Sequence, residues 1–403
     1  MKPVRLLLLS FYYPPDISAG AFRAQSLVQA LEHRLPQGSE LHVVTTMPNR
    51  FGIGNYQVPA VERLPGGKTT ITRVTLPSGG SGMASQAWAF LHYAFRVLRH
   101  SKERRYDLVV ATSSRLMPAV LGRWLAARHK ARLYQDIRDI FVDNLPHVLP
   151  LGAGRLLAPL FAGLERWALG PADGVNLVSR GFESYFVPRY PHQRFTWHTN
   201  GIDSLFVEAV EQGRFMPADQ PPVGGPLKVL YAGNLGAGQG LEHILPGLAA
   251  RLTGRAEFLV IGDGGARAGL EQALEERGVT NVELRTPQPR EQVLELYRHA
   301  DVLFLHLDDI PSFTRVLPSK LFEYAATGKP IWAGVAGYPA SFVEQEIDNA
   351  VVFPPCDLDG ALAALERLEI HSRPRPAFVA KWRRDRIMDE MATDILALVM
   401  NEA

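Results

Sequence analysis

At 403 residues the chain is too long for one ordinary core, so two domains are expected. Its 46% hydrophobic and 21% charged content is that of a globular protein, and a formal net charge of only +2 argues against a dedicated nucleic-acid binder. The one cysteine, Cys356, leaves no internal disulfide and no cysteine zinc site, and it suits a reducing cytosol.

The chain begins with Met1-Lys-Pro-Val-Arg and then Leu6 to Leu9, which faintly imitates a signal peptide. The apolar run is short, and Tyr12-Tyr-Pro-Pro15 stands where a cleavage site should be, so a first parallel strand explains it better. Short apolar strands then alternate with longer helical patterns, as in parallel sheets covered by helices. The first series of strands is predicted at Val4–Ser10, Glu40–Thr46, Ile71–Leu76, Asp107–Ala111, Arg132–Gln135, Gly174–Val178 and Arg194–His198. A Pro/Gly-rich segment from Pro217 to Pro226 reads as a loop or linker. A second series follows at Lys228–Ala232, Glu257–Ile261, Val282–Arg285, Val302–Leu307, Pro330–Ala333 and Ala350–Phe353. The expected division is a first domain over 1–203, a linker over 204–226, a second domain over 227–377, and a helical tail over 378–403 that crosses back onto the first domain. Each series is a doubly wound unit, whose ligands bind beyond the carboxyl ends of the strands.

Ala84 to His100 is rich in Ala, Phe, Leu, Trp and Tyr, and Arg96, Arg99, Lys102, Arg104 and Arg105 crowd its end. An apolar helix with a basic end suits an anionic lipid surface, and it equally suits a core helix with a charged, solvated end. No apolar run reaches the ~20 residues that span a bilayer. The expectation is a cytoplasmic protein, with peripheral contact at the inner face of the cytoplasmic membrane left open.

The chemistry concentrates in the second half. Tyr231-Ala-Gly-Asn-Leu-Gly-Ala-Gly-Gln-Gly-Leu241 is a strand, a glycine-rich turn and a helix, with Gly233, Gly236, Gly238 and Gly240 allowing backbone to approach a phosphate. Its spacing misses the dinucleotide fingerprint, and no acidic residue ends the next strand, which weakens an NAD reading. Ile261-Gly-Asp-Gly-Gly265 is a second glycine turn after a strand. Pro318-Ser-Lys-Leu-Phe-Glu-Tyr-Ala-Ala-Thr-Gly-Lys-Pro-Ile331 reads as a short helix stopped at Gly328, followed by a buried strand. Leu321, Phe322 and Ala325 form its apolar face, and Lys320, Glu323 and Thr327 its polar one. A helix start with a Lys in the first turn offers free N–H groups and a cation to a diphosphate, and a carboxylate one turn on can hold a ribose diol. Asp357-Leu-Asp359 spells a metal-binding D-x-D, but its place between a strand and a helix makes it an N-cap. The twelve histidines show no ligand spacing, and no metal is expected.

In this order the motifs resemble the glycogen-synthase-like group of retaining GT-B glycosyltransferases, in particular the bacterial O-antigen, capsule and exopolysaccharide enzymes of the fucosamine-transferase type. Tyr12-Tyr-Pro-Pro-Asp-Ile-Ser-Ala-Gly-Ala-Phe-Arg23 resembles the family's first loop, and Asp136-Ile-Arg-Asp139 its mid-domain motif. Val178-Ser-Arg-Gly-Phe182 and Thr199-Asn-Gly-Ile-Asp203 fall where the first domain ends, and the two glycine turns and the 318–323 motif follow in family order. The resemblance implies an α/β GT-B fold: two Rossmann-like doubly wound domains facing across a cleft. It implies donor contacts from Gly20 and Arg23 in the first domain and from Gly233, Asn234, Gly236, Gly262, Asp308, Arg315, Ser319, Lys320, Leu321 and Glu323 in the second. Asp136, Arg138, Asp139 and Lys320 are the catalytic candidates.

The chain departs from that pattern in two places. Asn234 and Gln239 stand where relatives place an Arg and a Lys for the diphosphate, so Lys320 and Arg315 are left to meet its charge. Of two glutamates eight positions apart, Glu323 matches the second, while Arg315 stands at the first; Asp308 or Asp309 is the available substitute. The function implied is metal- and cofactor-independent transfer of a sugar, from a UDP-sugar or another nucleotide-sugar, to a lipid-linked saccharide, with retained configuration. A nucleotide-sugar 2-epimerase and a non-catalytic nucleotide-sugar-binding relative are the alternatives.

Overall fold

The computed structural model describes residues 2–48, 58–77, 83–143, 153–215 and 224–400. The chain divides into two units, Met1–Asn200 with Arg384–Ala403, and Gly201–Arg383.

The first unit holds β1 (Arg5–Ser10), β2 (Glu40–Thr46), β3 (Val61–Arg63), β4 (Thr69–Val74), β5 (Leu108–Ser113), β6 (Arg132–Ile137), β7 (Gly174–Leu177) and β8 (Phe195–Thr196). They form one sheet in the order β3-β4-β2-β1-β5-β6-β7-β8, parallel except for β3. Leu6 to Leu9 of β1 are buried on both faces, which is why that strand reads as a continuous apolar run. Helix Ala19–Arg34 packs with the final helix Arg384–Met400. Helices Met83–Ser101 and Leu116–His129 share a core with Leu7, Leu9, Val109 and Ala111, and helix Ala153–Leu169 packs beside the second of them. The sequence reading missed β3, a three-residue edge strand with two charges, whose Glu62 pairs with Arg73 at 2.7 Å.

The second unit holds β9 (Leu227–Ala232), β10 (Ala256–Ile261), β11 (Val282–Arg285), β12 (Val302–His306), β13 (Ile331–Gly334) and β14 (Ala350–Phe353). Their order is β11-β10-β9-β12-β13-β14, all parallel. Part of the stretch expected as linker, residues 216–223, lies outside the described residues, but its start does not. Ser204–Glu211 is a helix, capped by the Asp203 carboxylate on the Leu205 N–H, with Phe206, Val207 and Ala209 in the core of this unit. The helical tail is two helices, Pro376–Trp382 and Arg384–Met400, and the change of unit falls between them.

One polar cluster organises the first unit. Arg23 and Asp136 are 1% and 0% exposed, and they meet through two bonds of 2.9 Å, Nε to Oδ2 and Nη2 to Oδ1. Thr112 Oγ1 and Asn176 Nδ2 donate to the same carboxylate at 2.7 and 2.8 Å, and Arg23 also donates to the carbonyls of His198 and Thr199. Burial alone would raise the Asp136 carboxyl, but the charge of Arg23 and these hydrogen bonds outweigh it and hold the group below the usual carboxylate range. Arg23 and Asp136, expected at the donor and in catalysis, are instead each other's partners inside the core. Removing one partner strands the other charge, so Asp136→Ala should lower stability by about 3–5 kcal/mol. Urea unfolding measures it, and a wild-type midpoint would mean that the pair does not hold the core together.

Candidate functional site

In the second unit the chain runs from β9 outward to β10 and β11 on one side, and from β12 to β13 and β14 on the other. The reversal between β9 and β12 is the switch point where such sheets receive ligands. The turn Gly233–Gly240 leaves β9 there, Asp308 leaves β12, and helix Ser319–Ala326 starts after a further short turn, Pro311–Thr314.

Lys320 is the centre of this arrangement. Its Nζ donates to the Tyr231 hydroxyl at 2.5 Å and lies 3.7 Å from that ring's centroid. Tyr231 in turn donates to the Asn234 carbonyl at 2.7 Å. A Cβ at Gly233, whose φ is +149°, would stand 2.5 Å from Lys320 Nζ, so the side chain lies directly on the glycine backbone. Burial lowers the Lys320 amine to about 7, against an upward pull from Glu323 one turn along the helix. An amine so placed is a poorly solvated cation carried by the first turn of a helix, whose leading amides, those of Ser319 and Lys320, lack intrahelical carbonyl partners. Both the amine and the amides favour an anion.

The turn itself is neutral and self-satisfied. Gln239 Oε1 accepts from Asn234 Nδ2 at 3.0 Å and from the Gly236 N–H at 3.1 Å. The Gln239 carbonyl accepts from His306 Nδ1 at 2.7 Å, and His306 Nε2 accepts from the Cys356 N–H at 3.0 Å. His306 is therefore a satisfied core residue, and burial lowers its pKa. Asp308 Oδ1 accepts from the Asp309 N–H at 3.0 Å and from the Cys356 thiol at 3.4 Å. A Cβ at Gly240 would lie 2.8 Å from that oxygen, so Asp308 braces the turn. Asp357 caps its helix through the Gly360 N–H at 3.0 Å, the N-cap role expected of it.

Other expected contacts take different parts. A Cβ at Gly262 would stand 1.8 Å from the Gly233 carbonyl oxygen, so this glycine permits the crossing of two strand ends. Leu321 is wholly buried and its N–H donates to the Pro318 carbonyl at 3.1 Å, which removes it from the donor contacts. Thr327, expected on the polar face, is buried with its hydroxyl on the Tyr324 carbonyl at 2.7 Å. Ser319, Arg315 and Glu323 are partly buried near the helix start.

In the first unit, Gly20 and Arg138 belong together. A Cβ on Gly20 would stand 2.3 Å from Arg138 Nη1, so the guanidinium lies across the helix start. Arg138 Nε is buried with no hydrogen-bond partner, and burial lowers the group to about 10. Both Asp136 oxygens are taken by Arg23, Thr112 and Asn176. Asp139 turns back to its own chain, accepting from the Ile140 N–H at 2.9 Å.

Residues 19–201 match the family model for the glycosyl transferase 4-like domain, and residues 214–383 match that for glycosyl transferases group 1. With both halves matched in order, the chain belongs to the group 1 glycosyltransferases and has the GT-B fold. Among curated proteins it is similar to WcaI of Escherichia coli K12, whose name assigns it provisionally to colanic acid biosynthesis as a glycosyl transferase. That similarity is 25% identity over 343 residues, covering 81% of this chain and 82% of WcaI. Among solved structures it resembles HepE from Anabaena in complex with UDP and glucose, with 15% identity, TM-score 0.64, and 98% and 99% of the two chains covered. It also resembles WaaG, a glycosyltransferase involved in lipopolysaccharide biosynthesis, with 15% identity, TM-score 0.61, and 98% and 97% covered.

Tyr231 is the site residue that sequence reasoning missed. It stood in view as the first letter of the glycine-turn motif, but only the fold shows that its ring carries Lys320.

Lys320→Ala should lower turnover by about 100-fold or more, the scale of one lost transition-state donor, with a smaller loss of donor affinity. Steady-state kinetics reads both, and near-normal turnover would mean that the charge is met elsewhere. The lowered amine also sets a pH dependence. A bound diphosphate favours the ammonium form, so the complex keeps a proton that the free protein loses above pH about 7. Donor affinity should therefore be level below that pH and fall as pH rises through it. Calorimetry across the range should show this slope in the wild type and not in Lys320→Ala.

Proposed function

We propose that the protein transfers a sugar from a nucleotide-sugar, in particular a UDP-sugar, to a lipid-linked saccharide in the assembly of bacterial surface polysaccharide, with the anomeric configuration retained. The observation that carries this reading is Lys320, a partly buried amine lying on Gly233 at a helix start and at the switch point of the second sheet. The reaction breaks the bond between the anomeric carbon and the diphosphate and joins that carbon to an acceptor hydroxyl oxygen. The hydroxyl proton passes to the departing diphosphate. Charge grows on the diphosphate as the sugar leaves, and Lys320 with the first amides of its helix is placed to hold it. Glu323 takes the ribose diol, and Arg315 supplements the charge of Lys320. Arg138, with its unpaired Nε against Gly20, is the cation of the first unit available to a substrate anion.

The names of the relatives support the donor and the process: UDP and glucose with HepE, lipopolysaccharide with WaaG, colanic acid with WcaI. Retention and the lipid-linked acceptor rest on the motif order, which resembles the retaining surface-polysaccharide enzymes.

A panel of UDP-sugars incubated with and without lipid-linked saccharide tests the reading. Donor consumption should require the acceptor, the product anomer should match the donor, and excess chelator should leave the rate unchanged. Conversion of the donor to an epimer without acceptor would identify an epimerase, and binding without consumption a non-catalytic relative. Glu323→Ala should weaken donor recognition by ~1.5–3 kcal/mol through loss of a charged hydrogen bond, with little effect on folding. Unchanged donor kinetics would make Glu323 a surface residue of its helix.

A further inference from the structure

The helices that cover one face of the first sheet carry an unusual outer surface. On Met83–Ser101 the inward side is Tyr93 and Val97, both buried in the sheet core. Its outward stripe is Trp88, Leu91 and Phe95, with Trp88 62% and Phe95 63% exposed, and the stripe ends in Arg99. On Ala153–Leu169 the solvent side runs Leu156, Pro159, Leu160, Gly163 and Trp167, and Leu156 and Leu160 are 80% and 60% exposed. Leu116–His129, which packs against both, presents Trp124 and Arg128. An outer helix face is ordinarily its polar one, so two helices with apolar outward stripes, joined by a third that adds Trp124, make a patch that calls for a partner.

Charge identifies that partner. The only carboxylate on the three helices is Glu165, which is buried and accepts from the hydroxyls of Tyr190 and Tyr185. Arg96, Arg99, Arg123, Arg128 and Arg166 have no carboxylate partner among the described residues. Two of them lie over tryptophans instead, Arg123 at 5.7 Å from the Trp167 ring and Arg128 at 5.4 Å from the Trp124 ring. Lys102, Arg104 and Arg105 follow at the end of the first helix with one carboxylate, Glu103, among them, and all four are exposed, a net charge of +2. A second copy of this chain would set the same uncompensated arginines against each other in a two-fold contact. Tryptophans at the level of a ring of arginines suit the boundary of an anionic bilayer, where the ring enters the headgroup region and the guanidinium meets phosphate.

We infer that the outer faces of helices Met83–Ser101, Leu116–His129 and Ala153–Leu169 form one docking surface for an anionic membrane. The inference does not use the transferase reading and needs neither donor nor acceptor. No described helix is long and apolar enough to cross a membrane, so the contact is peripheral.

The test is co-sedimentation of the full chain with vesicles of phosphatidylglycerol and phosphatidylcholine, against phosphatidylcholine alone. Binding should require phosphatidylglycerol, fall with added salt, and shift tryptophan emission to shorter wavelength. A variant with one change per helix, Arg99→Glu, Arg128→Glu and Arg166→Glu, should bind at least tenfold more weakly, as should Leu160→Asp. Arg277→Glu in the second unit should bind as the wild type does. Circular dichroism and donor binding should be unchanged in all of them. Equal binding to both vesicle types, full binding by the triple variant, or a wild-type dimer abolished by Leu160→Asp would each overturn the inference. The wild-type comparison of the two vesicle types decides the matter even if a variant misfolds.

Discussion

The second unit depends on a place where no side chain fits. The end of β9 has to accept Lys320 on one side at Gly233, while the Gly233 carbonyl presses on Gly262 at the end of β10. Both glycines have φ values that side-chain-bearing residues rarely adopt, +149° and +158°. Together they let two strand ends and a lysine share a volume that one methyl group would overfill. The phosphate-type turn, its helix and its cation converge because of that closeness.

This closeness also settles where the charge of the site resides. Asn234 and Gln239 satisfy each other and the Gly236 amide, so the glycine turn is a neutral frame that carries no charge of its own. The cation comes from across the switch point and rests on an aromatic face, where burial lowers its amine toward neutrality. A cation that is poorly solvated when the site is empty has more to gain from an anion than an exposed lysine would. Tyr231 holds Lys320 in place without competing for its charge, since burial keeps the phenol neutral.

The first unit divides its charges in a comparable way. Arg23 and Asp136 neutralise each other in the core and tie helix Ala19–Arg34 to β6, with Thr112 and Asn176 completing the carboxylate. By filling both carboxylate oxygens, Arg23 leaves Arg138 beside Gly20 with an unsatisfied Nε.

Much of this was legible in the sequence. Alternating short apolar runs and long helical patterns specify two parallel sheets, because strands buried on both faces must be apolar throughout; Glu40–Thr46, Val282–Arg285 and Ala350–Phe353 fall within the bounds read for them. The helix at 319–326 was visible from its periodicity and its glycine stop, and Lys320 from its place in the first turn. What local pattern cannot carry is pairing across distance. Nothing near Arg23 names Asp136 as its partner 113 residues away, and nothing near Tyr231 says that its ring will carry a lysine 89 residues on. The same holds for Gly262, whose contact with the carbonyl of another strand end no glycine motif shows, and for Leu160, whose exposure no helical pattern reveals. Periodicity determines which face of an element is apolar; only tertiary packing decides which faces meet, which charges are spent on one another, and which are left for a ligand.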